Sequence, residues 1–353
     1  MLSIDACEGA IARENISPEE LGPLLLRQVE EGGKGRKPVL WVDVSAPGEE
    51  DWKMLAETFH FHPLAIEDAR NQGQRAKVDT YDDYLFLSVR AWAGKKPTLV
   101  GTAEERKEIL LKHAFVTADE LTHEVDIFLG PNYLVTLHNG NCEALAETRK
   151  RWRSHPESAP EALHGSPAYL LYLLLDAIVD DYFPAMDFLD EEIDDVEMAV
   201  YAPNPRLDLQ PALILKKKLL LLRQAVAPMR DVLNSLLRTD DPALMPAGVR
   251  VYLQDVYDHT LRLTEQVDLH RDILSGVLDA VAAQTGNRMN QVMKKLTGIS
   301  TILMSAALVS GIYGMNFKVM PELNTRYGYY CALGGMVAIA GGLTAYFKKI
   351  DWF

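Results

Sequence analysis

Hydrophobic and polar positions change their spacing twice along this 353-residue chain. Toward the N-terminus, short β-branched and aromatic runs alternate with turn residues: 38–45 (PVLWVDVS), 83–91 (DYLFLSVRA), 107–115 (KEILLKHAF), 123–129 and 132–138 (NYLVTLH). With helical stretches such as 49–60 between them, these runs predict the strands of a mixed α/β domain. From about Pro167 the spacing becomes helical. One helix is predicted over 168–200, a second over 205–238 between APNP and TDDP, and a third from near Val249. No proline occurs between Pro246 and Pro321, so the third helix can run from about 250 to 316. At 1.5 Å per residue that is roughly 100 Å. The expected class is α+β: an N-terminal α/β cytosolic domain (1–165), a region of long stalk helices (166–295) and a transmembrane hairpin (296–353). No internal repeat or low-complexity segment is evident.

The second change in spacing predicts the hairpin. Leu296 to Phe317 is 22 residues without a charge, and Tyr329 to Phe347 another 19. Each is about the length that crosses a hydrocarbon layer of roughly 30 Å. A buried hairpin in a soluble core is the competing reading, but two such runs side by side near the end of the chain have little protein around them to do the burying. The spans are therefore placed at about 296–316 and 329–347, with a short loop at 317–328 and a basic C-terminal tail.

Overall composition hides this, since 24% charged and 48% hydrophobic residues are ordinary for a globular protein. Charge distribution does not. From Arg288 onward there are seven basic and two acidic residues, so the −14 of the whole chain leaves −19 for residues 1–287. Arg288, Lys294 and Lys295 precede the first span; Lys348 and Lys349 follow the second. The positive-inside rule then puts both termini in the cytoplasm and only Lys318 to Gly328 outside. The N-terminus carries no pattern of a secretory signal. Cys7, Cys142 and Cys331 form no CxxC pair and read as reduced, structural thiols.

Two helices per chain cannot enclose an aqueous path, so several copies are required. At alternating spacings of three and four, one face of the first span carries Asn290, Met293, Thr297, Ser300, Met304, Ala307, Gly311 and Gly314, with Leu296 beside it. Tight packing between membrane helices uses the same small residues, so these residues alone leave packing face and path lining open. Neither span holds Asp, Glu, Lys, Arg or His. A path of amides, hydroxyls and carbonyls suits an ion that keeps its water, and Mg2+ is the cation most reluctant to lose it. No nucleophile and base pairing, phosphate-cradling loop or Cys/His metal cluster occurs, so an enzyme is not expected.

The stretch YGMNFKVMPEL (313–323) resembles the signature of the CorA family of magnesium and cobalt transport proteins. So do HPLAIEDARNQGQRAKV (62–78), LLDAIVDDYF (174–183), YLQDVYDHTLRLTEQVDLHRDILSGVLDA (252–280), NRMNQVMKKLT (287–297) and the terminal YFKKIDWF. The resemblance implies a selectivity filter of Gly314, Met315 and Asn316, in which the Asn316 amide receives a hydrated ion. It also implies pore-lining and gating roles for Asn290, Met293, Leu296 and Met304, with Met293 and Leu296 forming an apolar constriction that closes by dewetting. Asp68 and Asp255, assisted by Glu67, match an intersubunit cytosolic Mg2+ site. Lys348 and Lys349 match a basic collar, and Glu322 lies in the external loop. The acidic run Asp176 to Glu197 and Lys216, Lys217 and Lys218 read as solvated helix faces, with counterparts in the family's acidic helices and collar. One departure is Lys318, which stands where an acidic residue is common and weakens attraction at the outer mouth.

The function expected is a divalent-cation channel-like transporter of the inner membrane, carrying Mg2+ and also Co2+ or Ni2+, and gated by cytosolic Mg2+. Its partners would be further copies of itself in a homopentamer, the lipid bilayer and divalent ions, with no nucleic acid. The alternatives are a Zn2+ or Ni2+ transporter of the same superfamily and a non-conducting, membrane-anchored Mg2+ sensor.

Overall fold

The computed structural model describes residues 2–8, 11–13, 16–30, 39–93, 117–154, 163, 166–202, 209–316, 320–321 and 325–352. The strand predicted over 107–115 lies outside the described residues, as do Lys318 and Glu322. The chain forms two compact units, Met1–Val277 and Leu278–Phe353.

In the first unit, β1 (Leu2–Glu8), β2 (Ile11–Arg13), β3 (Val39–Ser45), β4 (Lys77–Thr80), β5 (Leu85–Trp92), β6 (Thr122–Leu129) and β7 (Tyr133–His138) form one sheet in the order β2-β1-β3-β7-β6-β5-β4. Among the described strands only β3 and β7 pair in parallel; the other pairs are antiparallel. The sheet's centre is covered on both faces, since β7 is buried throughout and β3 in all but its last residue. Helices α1 (Pro18–Glu30), α2 (Glu49–Phe59) and α3 (Pro63–Arg70) cover one face through Leu21, Trp52, Leu55, Phe59 and Ala65, packed on Val42, Phe86, Phe128 and Val135. After the short α4 (Ala118–Leu121), helices α5 (Glu143–Ser154) and α6 (Pro167–Asp180) lie on the other face.

A buried ion-pair network fastens α5 to the sheet. Arg149 reaches Asp43 at 2.6 Å and Asp5 at 3.2 Å, and Arg153 reaches Asp5 at 2.8 Å. Thr136 donates to Asp43 at 2.6 Å and accepts from the Trp41 indole at 3.1 Å. Burial works against ionisation of Asp43. Hydrogen bonds from His138 and Thr136, with the charges of His138 and Arg149, outweigh it and hold the carboxyl below its ordinary range.

The helix predicted over 168–200 is two helices, α6 and α7 (Phe183–Tyr201), separated at Asp181 and Tyr182. Pro184 supplies the reason: it lacks an N–H, and its ring opposes the Asp180 carbonyl. Helix α8 (Gln210–Leu237) keeps Pro228 inside it. Helix α9 (Ala247–Tyr313) is continuous for 67 residues and ends three residues earlier than the sequence permits. Strands β1, β2 and β4 were not expected from the pattern.

In the second unit, α9 is followed after the loop by α10 (Gly328–Lys349). Both are long and apolar enough to cross a membrane, and only 6% of either span window is buried. Met304 is 70% exposed and Val337 67%. Thr301 donates to the Thr297 carbonyl at 2.8 Å, Ser305 to Thr301 at 2.7 Å and Thr344 to Ala340 at 2.8 Å, so these hydroxyls are satisfied within their own helices. Beyond α10 the chain turns at Asp351 (φ 56°), and the Trp352 ring stacks on Phe347 at 5.2 Å.

Replacing Arg149 by Met removes the arginine from Asp43, 9% exposed, and one of the two arginines from Asp5, 2% exposed. The expected cost is about 3 kcal/mol, read as a lowered unfolding midpoint by differential scanning fluorimetry at neutral pH. Asp43 has a depressed folded pKa, so its share of this stability is present above about pH 4 and vanishes as the pH falls through the folded value. The gap between Arg149→Met and the parent should therefore narrow in acid.

Candidate functional site

The site expected at the outer end of α9 is built from a helix terminus. The Gly314 N–H still reaches the Ser310 carbonyl at 3.0 Å, and the Met315 N–H reaches Ile312 at 3.2 Å, a tightened last turn. Gly314, Met315 and Asn316 thus lie past the helix, and all three are exposed. A Cβ on Gly314 would sit 3.4 Å from the Ser310 carbonyl oxygen, ordinary van der Waals contact, so glycine is not sterically required there. Pro321 follows, and the next helix is set up by the Gly328 N–H bonding Thr325 at 3.2 Å.

Along α9, Asn290, Met293, Leu296 and Met304 are exposed; Met293 is 53% and Leu296 57% so. A groove along the helix is lined by Leu296, Thr297, Ser300, Thr301, Met304, Ser305 and Leu308. The structure therefore brings Leu296, Thr297, Ser300 and Met304 into one depression of mixed apolar and hydroxyl character. Lys348 and Lys349 are exposed in the last turn of α10, where cations complement the helix C-terminus.

The residues expected at a cytosolic Mg2+ site are arranged differently from the simplest expectation. Helix α3 begins with His62, whose Nδ1 accepts from the Leu64 N–H at 3.2 Å, and with Pro63 at its first position. This sets the register that presents Glu67, exposed, beside Asp68, half-buried. Asp68 is engaged within the chain. Lys77 bonds it, Gln74 donates to it at 3.3 Å, and the Lys77 bond, acting against some burial, lowers its carboxyl below the ordinary range.

Asp255 belongs to a second group. Asp176 on α6 with Asp255 and His259 on α9 place one ligand atom each within 4.8 Å of one another, a spacing that could hold a metal ion. His259 also faces Asp180 at 3.8 Å, and Arg151 meets Asp176 at 3.5 Å. Burial first, then the charge of Asp180, raises the Asp176 carboxyl above its ordinary range. Burial and the neighbouring carboxylates together outweigh the charges of Arg151 and His259. Asp176 was read only as part of a solvated acidic face and His259 was not singled out. The available signal was the spacing of four between Asp255 and His259, which stacks both on one side of a helix. In the run of lysines on α8, Lys216 and Lys217 are exposed, while Lys218 is half-buried and desolvation lowers its pKa.

Comparison with known proteins bears on the whole chain. The family described as CorA-like Mg2+ transporter protein matches residues 36–349. The "Putative metal ion transporter YfjQ" of Bacillus subtilis is 34% identical over 89% of this chain and 89% of its own length. The "Cobalt/magnesium transport protein CorA" of Thermotoga maritima is 35% identical over 88% of this chain and 83% of its own. Among solved structures, the complete CorA magnesium transporter from Methanocaldococcus jannaschii covers all of this chain and 99% of its own, with a TM-score of 0.76 at 21% identity, a likeness of fold. With the family match spanning nearly the entire sequence, the chain is a member of the CorA-like Mg2+ transporter family.

Proposed function

We propose that this protein conducts hydrated Mg2+, and with it Co2+ or Ni2+, through a homopentameric ring in the inner membrane. In this reading the first span of each copy lines the path and both termini lie in the cytoplasm. Family membership makes it a metal ion transporter rather than an enzyme. The carrying observation is the Gly314-Met315-Asn316 triplet, exposed at the end of a helix whose span contains no ionisable side chain. An uncharged amide can replace hydrogen bonds of an ion's outer water without stripping the inner shell. The relative from Thermotoga maritima, named for cobalt and magnesium, supports the choice of ions. The exposed apolar surface of both spans supports further copies and lipid as partners. A membrane potential would drive entry with roughly 2.3 kcal/mol per charge per 100 mV.

Regulation by cytosolic Mg2+ would use Asp68, Glu67 and Asp255. Asp255 already shares a ligand-sized space with Asp176 and His259. A divalent ion there would set positive charge beside Asp176, whose carboxyl is raised by burial first and then by the charge of Asp180. Asp68 of a neighbouring copy would exchange part of its bond to Lys77 for the same ion.

Flux into proteoliposomes with Mg2+, Co2+, Ni2+ and Zn2+ in competition tests the function. Inhibition of Mg2+ entry by Co2+ is expected; preference for Zn2+ would identify a zinc transporter, and absence of flux a sensor. Asn316→Ala should abolish transport while the oligomer keeps its size on gel filtration. Met293→Ser should raise basal flux by wetting an apolar constriction; unchanged flux at both low and high internal Mg2+ would remove Met293 from the gate. Asp255→Lys should carry its own cation into the cluster. Its resistance to protease in Mg2+-free buffer should exceed the parent's and respond little to added Mg2+.

A further inference from the structure

A separate cavity lies in the first unit at the carboxyl ends of the parallel pair β3 and β7, where open α/β sheets tend to bind ligands. It measures about 60 Å3. One water needs about 10–15 Å3 on this measure, so a small ion with a few waters fits. Asp126 of β6 lines it and is 6% exposed, with its Oδ1 buried and without a hydrogen-bond partner among the described residues. Two residues back on the same face of β6, Glu124 lines it too, with its side chain 8% exposed.

These two carboxylates are served unequally. Glu124 Oε2 accepts from the Gly73 N–H at 2.6 Å and the Gln74 N–H at 3.1 Å, and Oε1 accepts from Ser88 at 3.1 Å. Arg90 stands 3.8 Å from it. Gly73 itself is held at φ +90°, which a side chain would resist, so this turn is shaped to give its N–H to Glu124. Asp126 Oδ1 has no such provision, and the Ser88 hydroxyl is the one side-chain hydrogen bond that eases the Asp126 carboxyl. Lys77, the nearest cation of β4, is committed to Asp68 and Asp79. His138 of β7 is occupied at Nδ1 by the Gly140 carbonyl at 2.9 Å, and its Nε2 faces Asp43. Burial first, then the charge of Glu124, pushes Asp126 up to about 8, against the Ser88 hydrogen bond and the more distant charge of Lys77.

We infer that this cavity is a binding site for a small hard divalent cation, held directly by the Asp126 carboxylate. The Thr122 hydroxyl and the Asn139 and Gln72 amides on its lining supply further oxygen, directly or through water. Asn139 and Gln72 are exposed at the rim, giving the ion a way in. Binding releases the Asp126 proton to solvent and leaves the carboxylate on the metal, so charge and atoms balance. The site shares no residue with the Asp176, Asp255 and His259 group and does not depend on transport. It does adjoin the regulatory region, since Glu124 fixes the backbone of Gln74, whose side chain bonds Asp68. An ion at Asp126 would steady the turn that carries this contact.

The probe is Mn2+ titrated into the full-length protein in detergent, with free Mn2+ counted by electron paramagnetic resonance. Asp126→Asn, which keeps shape and cannot ionise to a carboxylate, should lose one Mn2+ per chain relative to the parent. The double variant Asp68→Asn, Asp255→Asn should retain it. Equal Mn2+ count and affinity in Asp126→Asn and the parent would overturn the assignment. If that variant fails to fold, Mn2+-soaked crystals of the parent decide: an anomalous peak at coordination distance from Asp126 supports the site, and an empty cavity overturns it.

Discussion

Inside a hydrocarbon layer a backbone has no water to bond, and this constraint governs the second unit of the protein. Every N–H and C=O along a span must find its partner in its own helix, so α9 cannot break before the layer ends. The signature triplet accordingly begins at Gly314, where α9 has already stopped. The same constraint explains why Thr301, Ser305 and Thr344 bond carbonyls of their own helices. It also explains why apolar side chains such as Met304 and Val337 remain uncovered within a single chain. Surroundings outside the single chain must supply that cover.

The first unit answers to the opposite condition, a sheet whose two faces are both covered. Among the described residues, charge in its interior is mostly paired. Asp5 and Asp43 tolerate burial because Arg149 and Arg153 meet them, and Glu124 because backbone N–H groups and Ser88 do. Asp126 is the exception among buried carboxylates that line a cavity, which is why the cavity attracts a chemical reading.

Much of this was legible in the sequence because the physics was local. The runs 38–45 and 132–138 are β-branched and apolar, and they are β3 and β7. The proline-free interval from 247 to 320 is a direct licence for α9. Helices 168–200 and 205–238 were recognised, but the break at Pro184 needed a weight that periodicity does not give. Strand β1 (LSIDACE) carries two acidic residues, and Asp5 becomes acceptable in a core only through Arg149 and Arg153, more than 140 residues away. Strand β4 is four residues long and gains its place by pairing with β5. The triplet at 314–316 could be read because it is contiguous. The approach of Asp176 to Asp255 and His259 could not, since it depends on how α6 packs beside α9.

The bonded hydroxyls of α9 have one more consequence. Thr301 and Ser305 have each given their only proton to a carbonyl of the same helix, so what their oxygens can still offer is lone-pair density. Such a surface accepts hydrogens from water but cannot donate any. Water oriented around a cation points its hydrogens outward, and water around an anion points its oxygens outward. Wherever that face borders an aqueous path, it favours the first shell over the second, and it discriminates by the sign of charge without carrying one.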